Sequence, residues 1–141
     1  MFIAPLPDRG VIELTGSDRI GFLQGLVSND VTKAAPGRIV WAALLTPQGR
    51  YRAEFFIGAT ASSLLLDAPR DAIGDIVTRL SRFRLRSNVV LTDRSADFGV
   101  HAAWNGTDPA PGPAWGIAAA DPRLPAAGWR IIAPGPLASN A

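Results

Sequence analysis

Few side chains in this 141-residue chain are equipped for acid–base or covalent chemistry. There is a single histidine, His101, and no cysteine. Thiolate catalysis, disulfides and cysteine-ligated metal or iron–sulfur centres within the chain are therefore excluded, as is a histidine-rich metal site. Glu54 is the most informative carboxylate. It lies in RYRAEFFIG among Ala53, Phe55, Phe56 and Ile57, and strand alternation puts it on one side with Arg52 and Phe56. A carboxylate beside aromatic rings has its charged form partly desolvated, which pushes its pKa up and suits proton handling. A surface ion pair with Arg50 or Arg52 accounts for the same residues equally well. Trp41, in RIVWAALLT, offers a ring that can stack on a flat heterocycle, although such a tryptophan is more often core. His101 has Asp93 and Asp97 within reach in sequence. In a strand FGVHAAW it would lie on a half-exposed face, opposite Val100 and Ala102, where a lone histidine is usually not catalytic. No G-x-S-x-G elbow supplies a nucleophile.

Two other stretches resemble ligand sites. GSDRIG (Gly16 to Gly21) has the glycine spacing of a phosphate loop, but Phe22 and Leu23 follow where lysine and a hydroxyl are required. Gly21 and Gly25 are read instead as allowing a helix to pack closely on a sheet. RLSRFRLRS (Arg79 to Ser87) would put Arg79, Arg82 and Arg86 on one helical face, a possible polyanion patch. A solvated face next to a helix C-terminus is the favoured reading.

The elements around these residues are legible from their periodicity. Val11 to Leu14 is a strand ended by Gly16. Ser17 is the expected N-cap of a helix with its stripe at Ile20, Leu23, Leu26 and Val27, closed by Ser28, Asn29 and Asp30. A turn at Pro36-Gly37 leads to a hairpin from Ile39 to Ile57, turning at Pro47 to Gly49. SSLLLDA is the next strand. Pro69 suits the first turn of a second helix, with Ile73, Ile76, Val77, Leu80 and Phe83 as its stripe. NVVLTD and FGVHAAW are further strands, and AWGIAA and GWRII are candidates. The order strand–helix–strand–strand–strand–helix–strand predicts an α+β domain, an antiparallel sheet with two helices on one face in a ferredoxin-like layout.

The totals bound the class. The chain is 48% hydrophobic and 18% charged, with net charge +2, thirteen arginines and the single lysine Lys33. It has the size of one domain, and no apolar run reaches the ~20 residues of a membrane helix. With no secretory signal in the opening residues, a cytoplasmic protein is expected. Nucleic-acid binding is permitted by the basic balance but not argued by it. Seven of the twelve prolines fall within 109–136. That shift divides the chain into a domain over 1–105 and a Pro/Gly-rich segment over 106–141, expected to begin a further, incomplete unit.

Four segments together resemble the folate-binding YgfZ family, relatives of the aminomethyltransferase (T-protein) of the glycine cleavage system. They are LTGSDRIGFLQGLVSNDVTKAAPG (Leu14 to Gly37), WAALLTPQGR (Trp41 to Arg50), LSRFRLRSNVVLTD (Leu80 to Asp93) and DPRLPAAGWR (Asp121 to Arg130). They follow the family's order and spacing over nearly the whole chain. The resemblance implies a tetrahydrofolate-binding fold and a role in assembly or repair of iron–sulfur proteins, with effects on tRNA-thiolating enzymes. Its partners would be folate and iron–sulfur proteins or their assembly machinery. By position, Glu54 falls where the T-proteins place a folate-contacting catalytic aspartate. Trp41 falls near their pterin-side aromatic, and Asp67 near another pocket-lining position. Glu54 in place of aspartate moves the carboxylate by one methylene, and the family's Lys-Gly-Cys-Tyr-x-Gly-Gln segment is not in these 141 residues. A folate-binding factor represented by its N-terminal portion is thus expected ahead of an aminomethyltransferase-like enzyme. A tRNA- or partner-binding module using Arg79–Arg86 ranks behind both.

Overall fold

The computed structural model describes residues 2–35, 37–45, 51–104, 117–123 and 128–135. The expected order appears as β2 (Arg9–Thr15), α1 (Arg19–Gln24), β3 (Val40–Leu45), β4 (Tyr51–Ala59), β5 (Ser63–Pro69), α2 (Ile73–Ser81) and β6 (Val90–Asp93). These five strands form one antiparallel sheet in the order β3-β4-β5-β2-β6.

A second antiparallel sheet, in the order β1-β7-β9-β8, joins β1 (Phe2–Pro5) to β7 (Phe98–Trp104), β9 (Trp129–Pro134) and β8 (Ile117–Ala120). Periodicity did not distinguish two sheets from one, and β1, a four-residue strand with proline at its end, carries too few residues to show alternation. The boundary expected between 105 and 106 falls between β7 and β8, two strands of this same sheet.

Side-chain alternation makes three layers. Ile12, Leu14, Phe55, Leu64 and Leu66 face Leu23 of α1 and Ile73, Ile76 and Leu80 of α2. The intervening Val11, Phe56 and Leu65 face Val100, Ile117, Ala119 and Ile132 of the second sheet. Coverage of both faces explains why Leu64 to Ala68 of β5 is one unbroken buried run.

Local details depart from expectation in physically informative ways. Gly16 does end β2, at φ +108, where a Cβ would stand 2.2 Å from the Asn88 carbonyl oxygen. Ser17 is not the cap: its hydroxyl takes the Asn88 side-chain amide. Asp18 holds the N-cap position without a capping bond, its carboxylate accepting the Asn88 backbone N–H at 2.6 Å. Both polar side chains tie α1 to the segment before β6 instead. α1 stops at Gln24, so Leu26 and Val27 pack on the core from outside the helix, and Val27 bridges to Leu44 of β3. Gly21 and Gly25 face open space, so close packing is not their role.

Pro69 is the last residue of β5, opposite Arg9, and a 3-10 turn over Arg70–Ala72 precedes α2. α2 then ends at Ser81. Arg82 and Arg86 therefore lie beyond it, Arg86 with φ 67, and the shared arginine face is not formed. Arg79 instead pairs with Asp75 one turn back, and Arg84 donates to the Val89 carbonyl. Phe83, expected in the stripe, is half exposed. The turn at Pro47 to Gly49 and Pro36 itself lie outside the described residues; Gly37 has φ +83, as a turn glycine should.

Candidate functional site

The register of β3, β4 and β5 assembles the site. Trp41 stands opposite Phe56, and Phe56 opposite Asp67. Glu54, two residues along β4, shares their face. All three sequence-predicted residues thus lie on one side of the sheet.

Their exposures differ. Trp41 is 38% exposed, Glu54 is exposed, and Asp67 is completely buried. Trp41, Glu54 and Phe56 line a cleft of about 200 Å³ with Arg9 and Arg123, closed by Pro69, Asp71 and Ala72 of the turn into α2. Asp67 lies behind that wall. Its Oδ1 accepts Arg9 Nε at 2.7 Å and its Oδ2 accepts Arg130 Nε at 2.9 Å. Arg9 also donates to the Asp67 backbone carbonyl. Because Arg9 belongs to β2 and Arg130 to β9, this carboxylate bonds the two sheets. Of the two arginines it holds, Arg9 lines the cleft and Arg130 lies over the Phe56 ring.

Those arginines surround one ring. The guanidinium carbons of Arg130, Arg123 and Arg9 lie 4.1, 4.8 and 5.8 Å from the Phe56 centroid, within cation–π range. Arg123 is held in turn by the buried Asp121, to which it donates Nε at 3.1 Å and Nη2 at 2.8 Å. Burial pushes the Asp121 carboxyl up, but the hydrogen bonds from Arg123 outweigh it and leave the pKa below the ordinary value. The same side-chain bond raises the pKa of Arg123, and the charge of Glu54 adds to the effect. The cleft thus presents an exposed indole, a solvent-facing carboxylate acceptor and a guanidinium donor fixed in place.

Trp41 also walls a second cleft, of about 220 Å³, with Asn29, Lys33, Arg38 and Pro122. Asn29 donates its side-chain amide to the Trp41 carbonyl at 3.0 Å, fixing the strand where both clefts meet. A third cleft, also about 220 Å³, lies by Arg70, Phe98 and His101 and contains none of Trp41, Glu54 or Asp67.

His101 is buried rather than half exposed, paired across β9 with Ile131. Burial lowers its pKa, against an opposing hydrogen bond with the Gly99 backbone. Asp97 accepts Arg94 Nε, and Asp93 accepts the Ser95 backbone N–H. Arg50 lies outside the described residues. Residue-level reasoning did not single out Phe56, Arg9, Asp121, Arg123 or Arg130 as site residues. The last three sit in DPRLPAAGWR, a segment that signalled kinship but gave no hint that it folds back against β4.

No family model matches the chain. In three dimensions it has the fold of the aminomethyltransferase T-proteins. The crystal structure of glycine cleavage system aminomethyltransferase T from Bartonella henselae matches with a TM-score of 0.73, over 94% of this chain and 41% of that one, at 12% sequence identity. Sequence narrows the group. The chain is 36% identical over 143 residues to the mitochondrial iron–sulfur cluster assembly factor IBA57 homologue of Mycosarcoma maydis, and 28% identical over 156 residues to that of Coccidioides immitis. Each alignment covers 92% of this chain. The chain thus resembles the YgfZ-like iron–sulfur assembly factors in sequence and aminomethyltransferase T in fold. It spans 36% of the length of either relative. Among the described residues no helix is long and apolar enough to cross a membrane.

Proposed function

We propose that the chain belongs to an iron–sulfur cluster assembly or repair factor, and that the cleft between Trp41 and Glu54 binds tetrahydrofolate. The observation that carries this reading is the convergence of Trp41, Glu54 and Arg123 on one cleft in a fold shared with an aminomethyltransferase. Its relatives' names supply the biological role.

The residues fit the ring end of a folate. An exposed indole offers a stacking face, a carboxylate accepts from ring N–H and amino groups, and a guanidinium donates to a ring oxo group. The cleft is smaller than the ~300–1,000 Å³ that encloses a drug-sized ligand, so it matches the ring and not the whole molecule. Asp67 serves as a positioning residue, holding Arg9 and Arg130 against Phe56. The factor acts as a binding scaffold rather than a turnover enzyme, with iron–sulfur proteins or their assembly machinery as partners. Its place of action in this reading is the cytoplasm; the fungal relatives are named as mitochondrial.

The role is tested in cells depleted of the protein. Iron–sulfur enzyme activities should fall while their polypeptide levels hold, and the wild-type gene should restore them where Glu54→Ala and Trp41→Ala do not. Full restoration by both variants would detach the cleft from the role. Unaltered iron–sulfur activities on depletion would remove the role itself.

A further inference from the structure

We infer that the turn between α2 and β6 is a docking point for an acidic segment of another protein, seated on Phe83 and Leu85 and held by Arg82 and Arg86. The inference is independent of the folate reading. Trp41 lies in β3 and the turn leads into β6, at opposite edges of the five-stranded sheet, four strand spacings or roughly 19 Å apart.

The turn carries apolar surface that its own chain leaves uncovered. Leu85 is 84% exposed and Phe83 50%, and Val90, which opens the edge strand β6, is exposed as well. Arg82, Arg84 and Arg86 alternate with the first two and are also exposed.

The presentation is built into the backbone. The Ser87 N–H donates to Arg84 O at 2.9 Å, closing a turn over residues 84–87. Arg84 folds back to donate to Val89 O, and Asn88 is held by Ser17 and Asp18. The third position of that turn, where glycine is favoured when φ is positive, is Arg86 at φ 67. Arg86 is the one positive φ outside glycine among the described residues, a conformation that costs an L side chain energy. The result is a leucine held outward beside a guanidinium, with little left to order when a partner binds.

Charge selects the partner. Among the described residues neither Arg82 nor Arg86 forms an ion pair. The carboxylates closest in the fold are committed, Asp75 to Arg79 and Asp18 to the Asn88 N–H. Guanidiniums match carboxylates in a planar, two-point geometry, and arginine with aromatic side chains is enriched at protein interfaces. A nucleic acid would use the arginines and leave Leu85 in water, and a membrane needs more apolar area than this turn offers. The complement is an apolar side chain flanked by carboxylates.

The test follows the amide NMR spectrum of the isotope-labelled chain during titration with the peptide Glu-Glu-Leu-Phe-Glu-Glu. Shifts should centre on residues 82–90 and leave Trp41 and Glu54 unmoved, and added salt should weaken binding. Leu85→Ser, and separately the pair Arg82→Ser/Arg86→Gly, should each lower affinity about five-fold at an unchanged melting temperature. Glycine adopts a positive φ freely, so that pair removes the charges and keeps the turn. Shifts that are absent or centred elsewhere would overturn the inference. So would equal affinity for Glu-Glu-Ser-Ser-Glu-Glu or Gln-Gln-Leu-Phe-Gln-Gln, or tighter binding of single-stranded RNA or of phosphatidylglycerol vesicles than of the acidic peptide.

Discussion

Asp67 and His101 show how differently two buried polar side chains can be used. Asp67 has no exposed surface, and each carboxylate oxygen carries an arginine from a different sheet. Such a pair adds little net stability over a well-packed apolar core, but removing one partner strands the other's charge. Asp67→Ala should therefore cost on the order of 3–5 kcal/mol, read as a drop in the urea midpoint, because Arg130 is itself buried. An undisturbed midpoint would show that the arginines find water or other partners. His101 is the chain's single histidine, and burial holds its pKa below the ordinary 6.5. In the window between the folded and ordinary values the unfolded chain binds more protons, so stability rises with pH there and is lost on acidification. Melting temperature should drop on acidification from pH 7 into that window, and His101→Gln should flatten the drop. A slope that survives the substitution would place its origin elsewhere. At this scale the sequence was a partial guide. Chemistry singled out Glu54 and Trp41, and the register sets them on one face, but Asp67's burial depends on Arg9 and Arg130, each about sixty residues away. Strand alternation alone also left His101 half exposed, since it knows nothing of what covers the outer face of a sheet.

The elements were legible where packing follows periodicity and illegible where polar side chains make distant bonds. β2, β3, β4, β5, α2 and β6 appear where alternation and the Ile73, Ile76, Leu80 spacing put them. The N-terminus of α1 did not follow its local signal, because Ser17 and Asp18 serve Asn88 seventy residues on. The same contact distinguishes the glycines of this stretch. Gly16→Ala would place a Cβ 2.2 Å from the Asn88 carbonyl at a φ of +108. It should destabilise by more than the ~1 kcal/mol ordinarily seen for a glycine forced from the left-handed region. Gly21→Ala, inside α1 with nothing within 4 Å, should instead stabilise by about 0.5–1 kcal/mol. Paired denaturant curves check both, and the reverse order of effects would mean that α1 packs otherwise than described. The arginine-rich stretch gives the complementary lesson. A helical wheel aligns Arg79, Arg82 and Arg86, but the helix ends at Ser81, and the alignment ends with it.

For the whole molecule, the central fact is a five-stranded sheet covered by helices on one face and by a second sheet on the other. The Pro/Gly-rich composition beyond Asn105 suggested a separate unit, yet β8 and β9 return to pair with β7. Composition reports loop content, not where the strands between the loops dock. That return shapes the candidate site, because it delivers Arg123 and Arg130 to Phe56 and makes Arg123 a wall of the cleft that Trp41 and Glu54 line. Calorimetric titration of the protein with tetrahydrofolate tests this arrangement most directly. Saturable binding is predicted, weakened by about ten-fold or more in Trp41→Ala, as expected for a lost stacking face worth roughly 1–3 kcal/mol, and weakened also in Glu54→Ala. No heat of binding in the wild type, or affinity unchanged in both variants, would contradict it.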